Sequence, residues 1–407
     1  MNALEGLRVV EFCDETGSYC GRLLADLGAE VIKVEPPDGG VQRHTPPFYR
    51  DTNSPDTSIA FWVHNTSKKS VALDLDTPAG QAAAKKLALS ADVILEDCPV
   101  GYLAARGLGY DALSREKPAL VYTSVTGFGQ TGPHAGWAYT DIVGQAMGGI
   151  MTLAGDSADP PNTIYGNQGD ISASIHAAQG TLIAVLHAEE TGEGQQVDVS
   201  AQEALSMSQE TAMMTWDFQK RNRTRTGALG MLPVQLPGAG VYKTKDGWCS
   251  LFIVAPGGAD FPEFIDWMRE KGMAADLDEP QYAELCASLN MARLTQVIGD
   301  PASAQAAIPK MVHINEAVTA FMATMTSREA YEEGQGRRLL VGIVSTPKDL
   351  AENTQLRARD WYLKMQFDFL SQVVEFPGPP YRLSDSPTVI TRPPRLGEHT
   401  EAILATL

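Results

Sequence analysis

The stretch LRVVEFCDETGSYCGRLLADLGAEVIKVE, residues 7–35, predicts how this chain begins to fold. Leu7–Phe12 and Glu30–Glu35 are short apolar segments typical of buried strands. Between them, Gly17–Leu27 carries apolar residues at helical spacing, and Gly28 occupies a position where helices commonly end. A strand, a helix and a second strand in so short a stretch predict two parallel strands joined by a right-handed crossover.

The same alternation of strands and helices continues along the chain. Thr77 followed by Pro78 predicts an N-cap and the first residue of a helix that runs to about Leu89. Further strands are expected at Ser70–Leu75, Asp92–Glu96, Ala119–Val125 and Gln196–Val199, and further helices at Tyr110–Glu116, 139–154, 170–189 and Ala201–Lys220. This order predicts an α/β fold with a Rossmann-like, open parallel sheet.

The sequence changes character after the basic segment KRNRTRTG, which begins at Lys220. We therefore expect residues 1–224 to form most of a large α/β domain and residues 225–330 to form a small α+β domain. The small domain is expected to contain a hairpin of Gly240–Lys243 and Trp248–Val254. Residues 331–407 are rich in proline toward their end, so we expect them to return to the large domain and cover a surface.

Composition and charge indicate which partners the protein is expected to bind and in which compartment it is expected to lie. The chain has 407 residues, 43% of them apolar, and a net charge of −18, which argues against nucleic acid or an anionic membrane as the main partner. Its five scattered cysteines predict reduced thiols rather than a metal site or a disulfide framework. The sequence has no signal-peptide pattern and no apolar run long enough to span a membrane, so we expect a cytoplasmic protein.

The stretch GNQGDISASIHAAQG, residues 166–180, is the main candidate for a functional site. An apolar run rich in small residues follows Asp170, so we predict a helix with Asp170 exposed at its N-cap. Asp170 could serve only to accept hydrogen bonds from the first N–H groups of the helix, where the dipole favours negative charge. It could instead be a nucleophile that attacks a carbonyl carbon. Both explanations remain open from the local sequence.

Two further features bear on ligand binding. Several cations occur at predicted strand ends or in loops of the first half of the chain, where they could bind a phosphorylated ligand or simply be solvated: Lys33, Arg43, Lys68, Lys69 and Arg106. The segment GFGQTG, residues 127–132, matches the GxGxxG pattern of dinucleotide-binding fingerprints. It follows a late strand and precedes Pro133 rather than a helix, so we expect no nicotinamide or flavin cofactor.

Several motifs in order along nearly the whole chain resemble the class III CoA-transferases, a family that also contains formyl-CoA transferase, carnitine CoA-transferase and the α-methylacyl-CoA racemases. The motifs are ADLGAEVIKVEPP (25–37), NTSKKSVALDL (65–75), TGFGQTGP (126–133), QAMGG (145–149), TGEGQQVDVSAQEA (191–204) and PRLGEHTEAIL (394–404). The segment EDCPVGYLAARGLGY (96–110) resembles most the branch of the family that includes the benzylsuccinate CoA-transferase subunits.

The resemblance implies a Rossmann-like large domain, a small domain and an interlocked dimer of two identical or paralogous chains. It implies that Asp170 is the nucleophile and passes CoA from a donor acyl-CoA to a carboxylic acid through anhydride and thioester intermediates. It also implies CoA as a substrate rather than a tightly bound cofactor, no metal, and glycines near the reacting carbonyl, namely Gly169, Gly238 and Gly240. The implied CoA contacts are Glu15, Thr16, Lys33, Arg43, Lys68, Lys69, Leu73, Asp97 and Arg106.

The chain departs from the family pattern at several positions. Cations that bind CoA in the best-known transferases align with Pro36, Asp76, Ala105 and Ala138. The catalytic histidine of the racemases aligns with Thr140, which is followed by Asp141. Two alternatives to CoA transfer therefore stay open: an acyl-CoA racemase or epimerase that uses Asp170 and Asp141, and a non-catalytic subunit of a heteromeric transferase.

The segments that flank Asp170 predict the kind of acceptor acid. They are rich in large apolar side chains and poor in Lys and Arg: Met147, Met151, Met207, Met213, Met214 and Trp216. Most of the methionines, Met231 included, are expected to fill the core, but those near Asp170 also fit an adaptable apolar pocket. We therefore expect a bulky, largely apolar acceptor rather than formate or oxalate, because a small dianion needs dedicated cations.

Overall fold

A computed structural model describes residues 2–229, 236–254 and 261–407. The chain divides into two compact units. The first comprises Met1–Thr152, Asn162–Arg223 and Thr354–Leu407, and the second comprises Leu153–Pro161 and Thr224–Asn353. The second unit therefore reaches past residue 330, which was expected to be its end. Asp170 and the predicted cations belong to the first unit.

The first unit is built on a six-stranded parallel sheet. Its strands are β1 (Arg8–Phe12), β2 (Glu30–Glu35), β3 (Lys69–Ala72), β4 (Val93–Glu96), β5 (Val121–Thr126) and β6 (Gln196–Ser200). The strand order is β3-β2-β1-β4-β5-β6, which is the order of the doubly wound dinucleotide-binding folds. Central strand β1 pairs with β2 on one side and β4 on the other, with Val10 beside both Ile32 and Ile94. The predicted Rossmann-like sheet is confirmed.

Helices connect these strands. They are α1 (Ser18–Asp26), α2 (Ile59–His64), α3 (Pro78–Ser90), α4 (Tyr110–Glu116), α5 (Asp141–Met147), α6 (Gln168–Thr191), α7 (Ala201–Met207) and α8 (Thr211–Gln219). Short 3₁₀ helices lie at Val41–His44, Tyr49–Asp51, Ala104–Arg106, Ile150–Leu153, Gly227–Leu229 and Asp368–Leu370. The Thr77 hydroxyl accepts a hydrogen bond from the Gly80 N–H at 3.1 Å, as an N-cap before Pro78 should.

Two helix predictions were wrong in their extent. Residues 139–154 contain α5 and a separate 3₁₀ helix, because Gly149 adopts a positive φ between them. Ala201–Lys220 is two helices rather than one, and Glu210, with a φ of 51°, lies at the break. Apolar composition alone did not reveal either interruption, because Met and Leu continue through both segments.

Alternate residues of the strands fill two cores, one on each face of the sheet. Val9, Val31 and Val93 pack with α1 and with the small side chains of α6. Val10 and Ile32 pack on the other face, with α3 and α4. Parallel sheets are typically covered on both faces in this way, so their strands are apolar throughout.

Helix α6 is long and apolar enough, by length and composition, to cross a membrane. Ala173, Ala177 and Ala184 are buried on its inner face, where α6 lies against α1 and β5. Small residues at this spacing let the helix approach the sheet closely, and Gly180 leaves room for Val197. This is the packing of a core helix in an α/β unit.

The second unit has its own sheet and core. Its elements are β7 (Ala239–Lys243), β8 (Trp248–Phe252), α9 (Phe261–Glu270), α10 (Pro280–Ser288), α11 (Met291–Gly299), α12 (Pro301–Met322), α13 (Ser327–Gly336), β9 (Val341–Ile343) and α14 (Pro347–Ala351). The predicted hairpin is present as β7 and β8, and β9 pairs antiparallel with β8. Phe264, Trp267 and Phe321 meet edge to face in the core.

The return segment begins at Thr354. It contains α15 (Thr354–Ala358), the antiparallel pair β10 (Tyr362–Phe367) and β11 (Gln372–Pro377), and α16 (Thr400–Leu404). The β10–β11 pair packs on Phe61 and Trp62 of α2. The Ser70 carbonyl of β3 accepts from the His399 N–H at 3.0 Å, so the end of the chain covers this edge of the main sheet.

Candidate active site

A cavity of 690 Å³ opens at the carboxyl ends of β1 to β5. This is the edge at which open α/β sheets bind ligands. The loops after these strands line it, including Thr16, Leu73 and Tyr139. Acidic side chains outnumber cations in the described part of its wall: Asp14, Glu15, Glu35, Asp74, Asp76 and Asp97 against Lys33. The cavity therefore has room for a nucleotide-sized ligand but little free positive charge.

Asp170 lies beside this cavity, close to Thr16 and Tyr139 in its wall. Helix α6 begins at Gln168 with Asn167 as its N-cap. Asp170 is therefore in the first turn, and the prediction that it is the N-cap was wrong. Its side chain is buried, with a residue exposure of 6%, rather than exposed as expected. Among the described residues, Oδ1 of Asp170 has no hydrogen-bond partner, which is a costly state for a buried carboxylate.

Asp141 provides the cap that Asp170 was expected to provide. It is the first residue of α5, and its Oδ1 accepts hydrogen bonds from the N–H groups of Gly169 at 2.7 Å and Asp170 at 3.3 Å. Its Oδ2 accepts from the Gln145 side chain at 2.6 Å. Since the Gly169 N–H is already paired, it is not free to stabilise a reacting carbonyl oxygen. The predicted contribution of Gly169 is therefore structural in this arrangement.

The surroundings of Asp170 oppose its ionisation. Burial raises the pKa of Asp170 to about 7, and the nearby carboxylate of Asp141 adds to this effect, with Glu15 contributing further. The hydroxyls of Thr16 and Tyr139 act in the opposite direction and offset only part of the shift. A carboxyl group with a pKa near neutrality beside a cavity is a marker of functional sites.

Tyr139 is a site residue that the sequence did not reveal. Its ring lies in a slot formed by three glycines: a Cβ at Gly127 would overlap the ring, and one at Gly144 would lie 2.6 Å from the hydroxyl oxygen. A Cβ at Gly169 would lie 3.3 Å from the same oxygen. The hydroxyl is buried and, within the described parts of the chain, has no hydrogen-bond partner. The three glycines are distant in sequence, so only folding brings them together.

Two of the predicted cations are buried in one ionic cluster. The Lys33 ammonium lies 3.0 Å from Glu11 Oε1, and the Lys68 ammonium lies 2.8 Å from Glu11 Oε2. Lys33 also donates to the Cys13 carbonyl, and Lys68 donates to the Ser18 carbonyl at 2.7 Å. Direct contact with a ligand phosphate would require these pairs to break, so both lysines hold the fold together in this structure.

The other predicted cations are also paired. The Arg43 guanidinium forms two hydrogen bonds with Glu35, at 2.6 and 2.8 Å, and is fully buried. Lys69 pairs with Glu30 at 2.5 Å on the surface. Arg106 donates to Asp76 at 2.6 Å, and its side chain is 21% exposed. Because Asp76 lines the cavity and is itself exposed, Arg106 is the predicted cation that could most readily turn toward a ligand.

The Asp97 side chain occupies the turn between β1 and α1. Asp97, at the end of β4, accepts hydrogen bonds from the N–H groups of Asp14, Glu15 and Gly17 at 2.9 to 3.1 Å. In dinucleotide-binding proteins these groups bind the pyrophosphate. Asp97 accepts from these N–H groups here and stabilises the turn.

The remaining predicted site residues are spread over both units. Thr140 is exposed and forms the N-cap of α5 without a side-chain hydrogen bond. Gly238 and Gly240 lie in the second unit, at the start of β7 and within it. The Gly238 N–H donates to the Tyr242 hydroxyl at 3.0 Å, and its φ is 70°. The role of both glycines near a reacting carbonyl stays a prediction.

Residues 4–400 match the model of CoA-transferase family III. The chain belongs to this family. Subunit BbsE of succinyl-CoA:(R)-benzylsuccinate CoA-transferase from Thauera aromatica is 32% identical over 401 residues, which cover 98% of this chain and 92% of the relative. A succinate–glutarate CoA-transferase from Agrobacterium fabrum is 28% identical over 409 residues, which cover 99% and 95%.

A solved structure agrees with this assignment. The crystal structure of a CaiB/BaiF family protein from Brucella suis is similar to this chain with a TM-score of 0.82 at 27% identity, and the match covers 100% of both chains. The resemblance noted from the sequence motifs is therefore confirmed. Class III CoA-transferases use acyl-CoA and carboxylic acid substrates, so this chain is an enzyme of that class.

Proposed function

We propose that this class III CoA-transferase moves CoA from a donor acyl-CoA to a bulky, largely apolar carboxylic acid, with Asp170 as the nucleophile. The observation that carries this proposal is a buried carboxylate at the start of α6 beside the cavity, whose Oδ1 has no hydrogen-bond partner in the described parts of the chain. A purely structural cap would use its oxygens on the N–H groups of its own helix. Asp141 meets that need, which leaves the Asp170 carboxylate available for chemistry.

The reaction proceeds in four acyl transfers. The Asp170 carboxylate attacks the thioester carbonyl of the donor and expels CoA thiolate, which leaves a mixed anhydride. The thiolate attacks the Asp170 carbonyl, so the donor acid departs and an aspartyl-CoA thioester forms. The acceptor carboxylate attacks this thioester and again expels the thiolate. The thiolate then attacks the acceptor carbonyl, which yields the new acyl-CoA and regenerates Asp170.

Burial contributes to this chemistry. A desolvated carboxylate is a stronger nucleophile than a solvated one, and the dry surroundings keep water away from the anhydride and thioester. The same burial raises the pKa of Asp170 to about 7, so the nucleophile is only partly ionised at neutral pH. The dipole of α6 favours the ionised form at the start of the helix.

The cavity at the strand ends is the proposed CoA site. Thr16 and Leu73 line it, and Arg106 lies at its edge next to Asp76. The acidic wall would repel the phosphates unless Arg106 or cations from another chain neutralise them. For that reason, a subunit that completes its CoA site with a paralogous chain is the second candidate function.

Exposed apolar side chains support the proposed acceptor. Met147, Met207, Met213, Met214 and Trp216 have exposures between 42% and 76%, so the expectation that most methionines fill the core was wrong for these four. Met151 is half-buried, and Met231 lies outside the described residues. Burial of an aromatic ring on such a surface contributes roughly 2–3 kcal/mol at about 25 cal/mol per Å². This corresponds to a roughly thirtyfold to hundredfold preference over a small acid.

The acceptor proposal is tested by the kinetics of alternative acids with one donor. We expect kcat/KM for aryl- or alkyl-substituted acids to exceed that for oxalate or formate by roughly thirtyfold to a hundredfold. Equal or better use of the small acids would contradict the proposed pocket. Succinyl-CoA is a reasonable donor because the BbsE enzyme and other relatives carry it in their names.

Exposed side chains on α6 and α8 support the proposed dimer, or a complex with a paralogous chain. Ile183 and Leu186 on α6 are 67% and 65% exposed, and α8 has no buried residue. Exposed apolar area of this kind commonly marks an interface. We expect Leu186→Lys to shift the mass measured by light scattering toward the monomer, and Glu189→Lys, on the same helix, to leave it unchanged. A monomeric wild-type protein would contradict the homodimer.

The nucleophile is tested by trapping. After incubation with an acyl-CoA, hydroxylamine treatment followed by peptide mass spectrometry should place an adduct on Asp170 of the wild-type protein and on no residue of Asp170→Ala. Full transferase activity in Asp170→Ala would overturn the proposal. Exchange of the α-proton in heavy water without any acceptor acid would instead favour the racemase alternative. A chain that binds no CoA and transfers none until a paralogous chain is added would favour the subunit alternative.

A further inference from the structure

Two buried polar groups of the first unit lie near the first turn of α6. Asp170 Oδ1 and the Tyr139 hydroxyl are both buried, and neither has a hydrogen-bond partner among the residues that the structure describes. The large majority of buried side-chain polar atoms have a hydrogen-bond partner, so two unpaired atoms near the same helix turn are informative. Each is a suitable partner for the other, because a phenol donates and a carboxylate accepts.

The position of the Tyr139 hydroxyl is set by backbone packing. The oxygen lies over Gly169, the residue before Asp170, at a separation of 3.3 Å from where a Cβ would be. Gly127 lies against the base of the ring and Gly144 against its hydroxyl end, and Phe128 packs against it edge to face at 6.1 Å. A ring so enclosed has little freedom to turn its hydroxyl away from the first turn of α6.

Tyr139 also connects Asp170 with the cavity. Tyr139 and Thr16 are in the cavity wall, and both lie close to Asp170. A substrate carbonyl that reaches Asp170 from the cavity would therefore lie near the phenol. No other aromatic hydroxyl of the described wall has this position: Tyr102 lies on the far loop, under the Arg106 guanidinium at 3.7 Å.

We propose that Tyr139 is a positioning residue for the nucleophile: its phenolic O–H donates to Oδ1 of Asp170 and orients the other carboxylate oxygen toward the cavity. This inference rests on the proposed function of Asp170. The hydrogen bond joins two groups that are both buried near the first turn of α6. It stabilises the ionised carboxylate, and it holds one oxygen still while the second attacks.

The charged surroundings make such a donor useful. The titratable groups that face Asp170 from the elements packed around the start of α6 are Asp141 on α5, Glu15 after β1, and Tyr139 itself. Both carboxylates oppose ionisation of Asp170, and burial opposes it more. Burial and the carboxylates of Asp170 and Asp141 raise the pKa of Tyr139, so the phenol keeps its proton and remains a donor at neutral pH.

The test compares Tyr139→Phe with Tyr122→Phe. The first variant removes only the hydroxyl and leaves the ring in its slot. The second removes another buried hydroxyl of the same unit, one that donates to the Leu108 carbonyl at 3.2 Å. The pKa of Asp170 is measured directly by infrared titration of its carboxyl band, which is assigned with Asp170→Asn. This readout requires folded protein but no transferase activity.

We expect the pKa of Asp170 to rise by about one unit in Tyr139→Phe and to stay unchanged in Tyr122→Phe. Accordingly, kcat/KM for CoA transfer falls about fivefold at pH 7 and less than about twofold at pH 9, where Asp170 is ionised in both proteins. An unchanged Asp170 pKa in Tyr139→Phe, or an equal loss of activity at both pH values, would overturn the inference. Absence of transfer by the wild type would count against the proposed function, while the infrared comparison would still decide the role of Tyr139.

Discussion

Asp170 and Glu11 are buried carboxylates of the same α/β unit, yet their surroundings are opposite. Glu11 lies in the central strand between the ammonium groups of Lys33 and Lys68, at 3.0 and 2.8 Å. Asp170 has no cation among the groups that chiefly set its pKa, and its Oδ1 is unpaired. Ion pairing with two buried ammonium groups marks a carboxylate that stabilises the fold, whereas a buried carboxylate without a neighbouring cation is retained at a cost and indicates function.

The pKa shifts in the two regions also differ. Burial alone would lower the pKa of Lys33, but the carboxylates of Glu11 and Glu35 outweigh it and raise that pKa. At Asp170, burial and Asp141 act together and raise the pKa to about 7. Lys33 therefore stays charged over the physiological range, whereas Asp170 changes its charge within it.

The largest expected difference between the two regions is in catalysis. Asp170→Asn keeps the size of the side chain but removes the nucleophile, so we expect kcat for CoA transfer to fall by about 10⁴-fold or more. Asp111→Asn, at an exposed position in the first turn of α4, serves as the control and should retain full activity. Activity of Asp170→Asn within about tenfold of the wild type would show that the unpaired carboxylate is not the nucleophile.

The second difference concerns stability, and here Glu11 is the sensitive residue. Glu11→Gln leaves two buried ammonium groups without their carboxylate, so we expect the free energy of unfolding to fall by about 3–5 kcal/mol. Glu30→Gln removes a partner of Lys69 that is 35% exposed and should cost less than about 1 kcal/mol. Denaturant titration of both variants measures the contrast. Equal losses of unfolding free energy in the two variants would show that the buried Glu11 cluster stabilises the fold no more than the exposed Glu30–Lys69 pair does.

The third prediction concerns the pH dependence of stability. The pKa of Asp170 is raised from its ordinary 3.8 to about 7, so between these values the unfolded chain has released a proton that the folded chain retains. Stability contributed by this residue is thus lost as pH rises through this window. Asp170→Asn should be more stable than the wild type by about 2–4 kcal/mol at pH 8 and by only about 1 kcal/mol at pH 4.5.

Denaturant titration at the two pH values measures this difference. Asp111→Asn should show no such change between them, because Asp111 is exposed. A constant difference between Asp170→Asn and the wild type at pH 4.5 and pH 8 would contradict the raised pKa.

The smallest expected effect is on the pH profile of the reaction. Since the ionised carboxylate attacks, kcat/KM should rise with pH along an acid limb with an apparent pKa of about 7. Activity then falls about tenfold for each pH unit below that value. Initial rates at saturating acceptor between pH 5 and pH 9 measure the limb. A flat profile over this range would place the pKa of the nucleophile near its ordinary value instead.

Much of this protein was determined by local sequence. The β-α-β pattern of residues 7–35, the Thr77-Pro78 helix start and the alternation up to β6 predicted the parallel sheet, and the motifs predicted the family. These features depend on short-range propensities and on apolar spacing, which are visible in a single chain. The long helix at Asp170 was also predicted, but its N-cap was placed three residues too late, at Asp170 instead of Asn167.

Only the tertiary structure decided how the charged groups are used. Nothing local to Lys33 or Lys68 shows that Glu11 neutralises both, because the three come from different strands and a loop. Likewise, Asp141 caps α6 across a gap of 28 residues, and the slot of Tyr139 needs three distant glycines. Hydrogen bonds and ion pairs act over a few ångströms between any two segments that folding brings together. The sequence therefore determined the candidate nucleophile, and the packing around it decided that this carboxylate is buried, unpaired and next to the cavity.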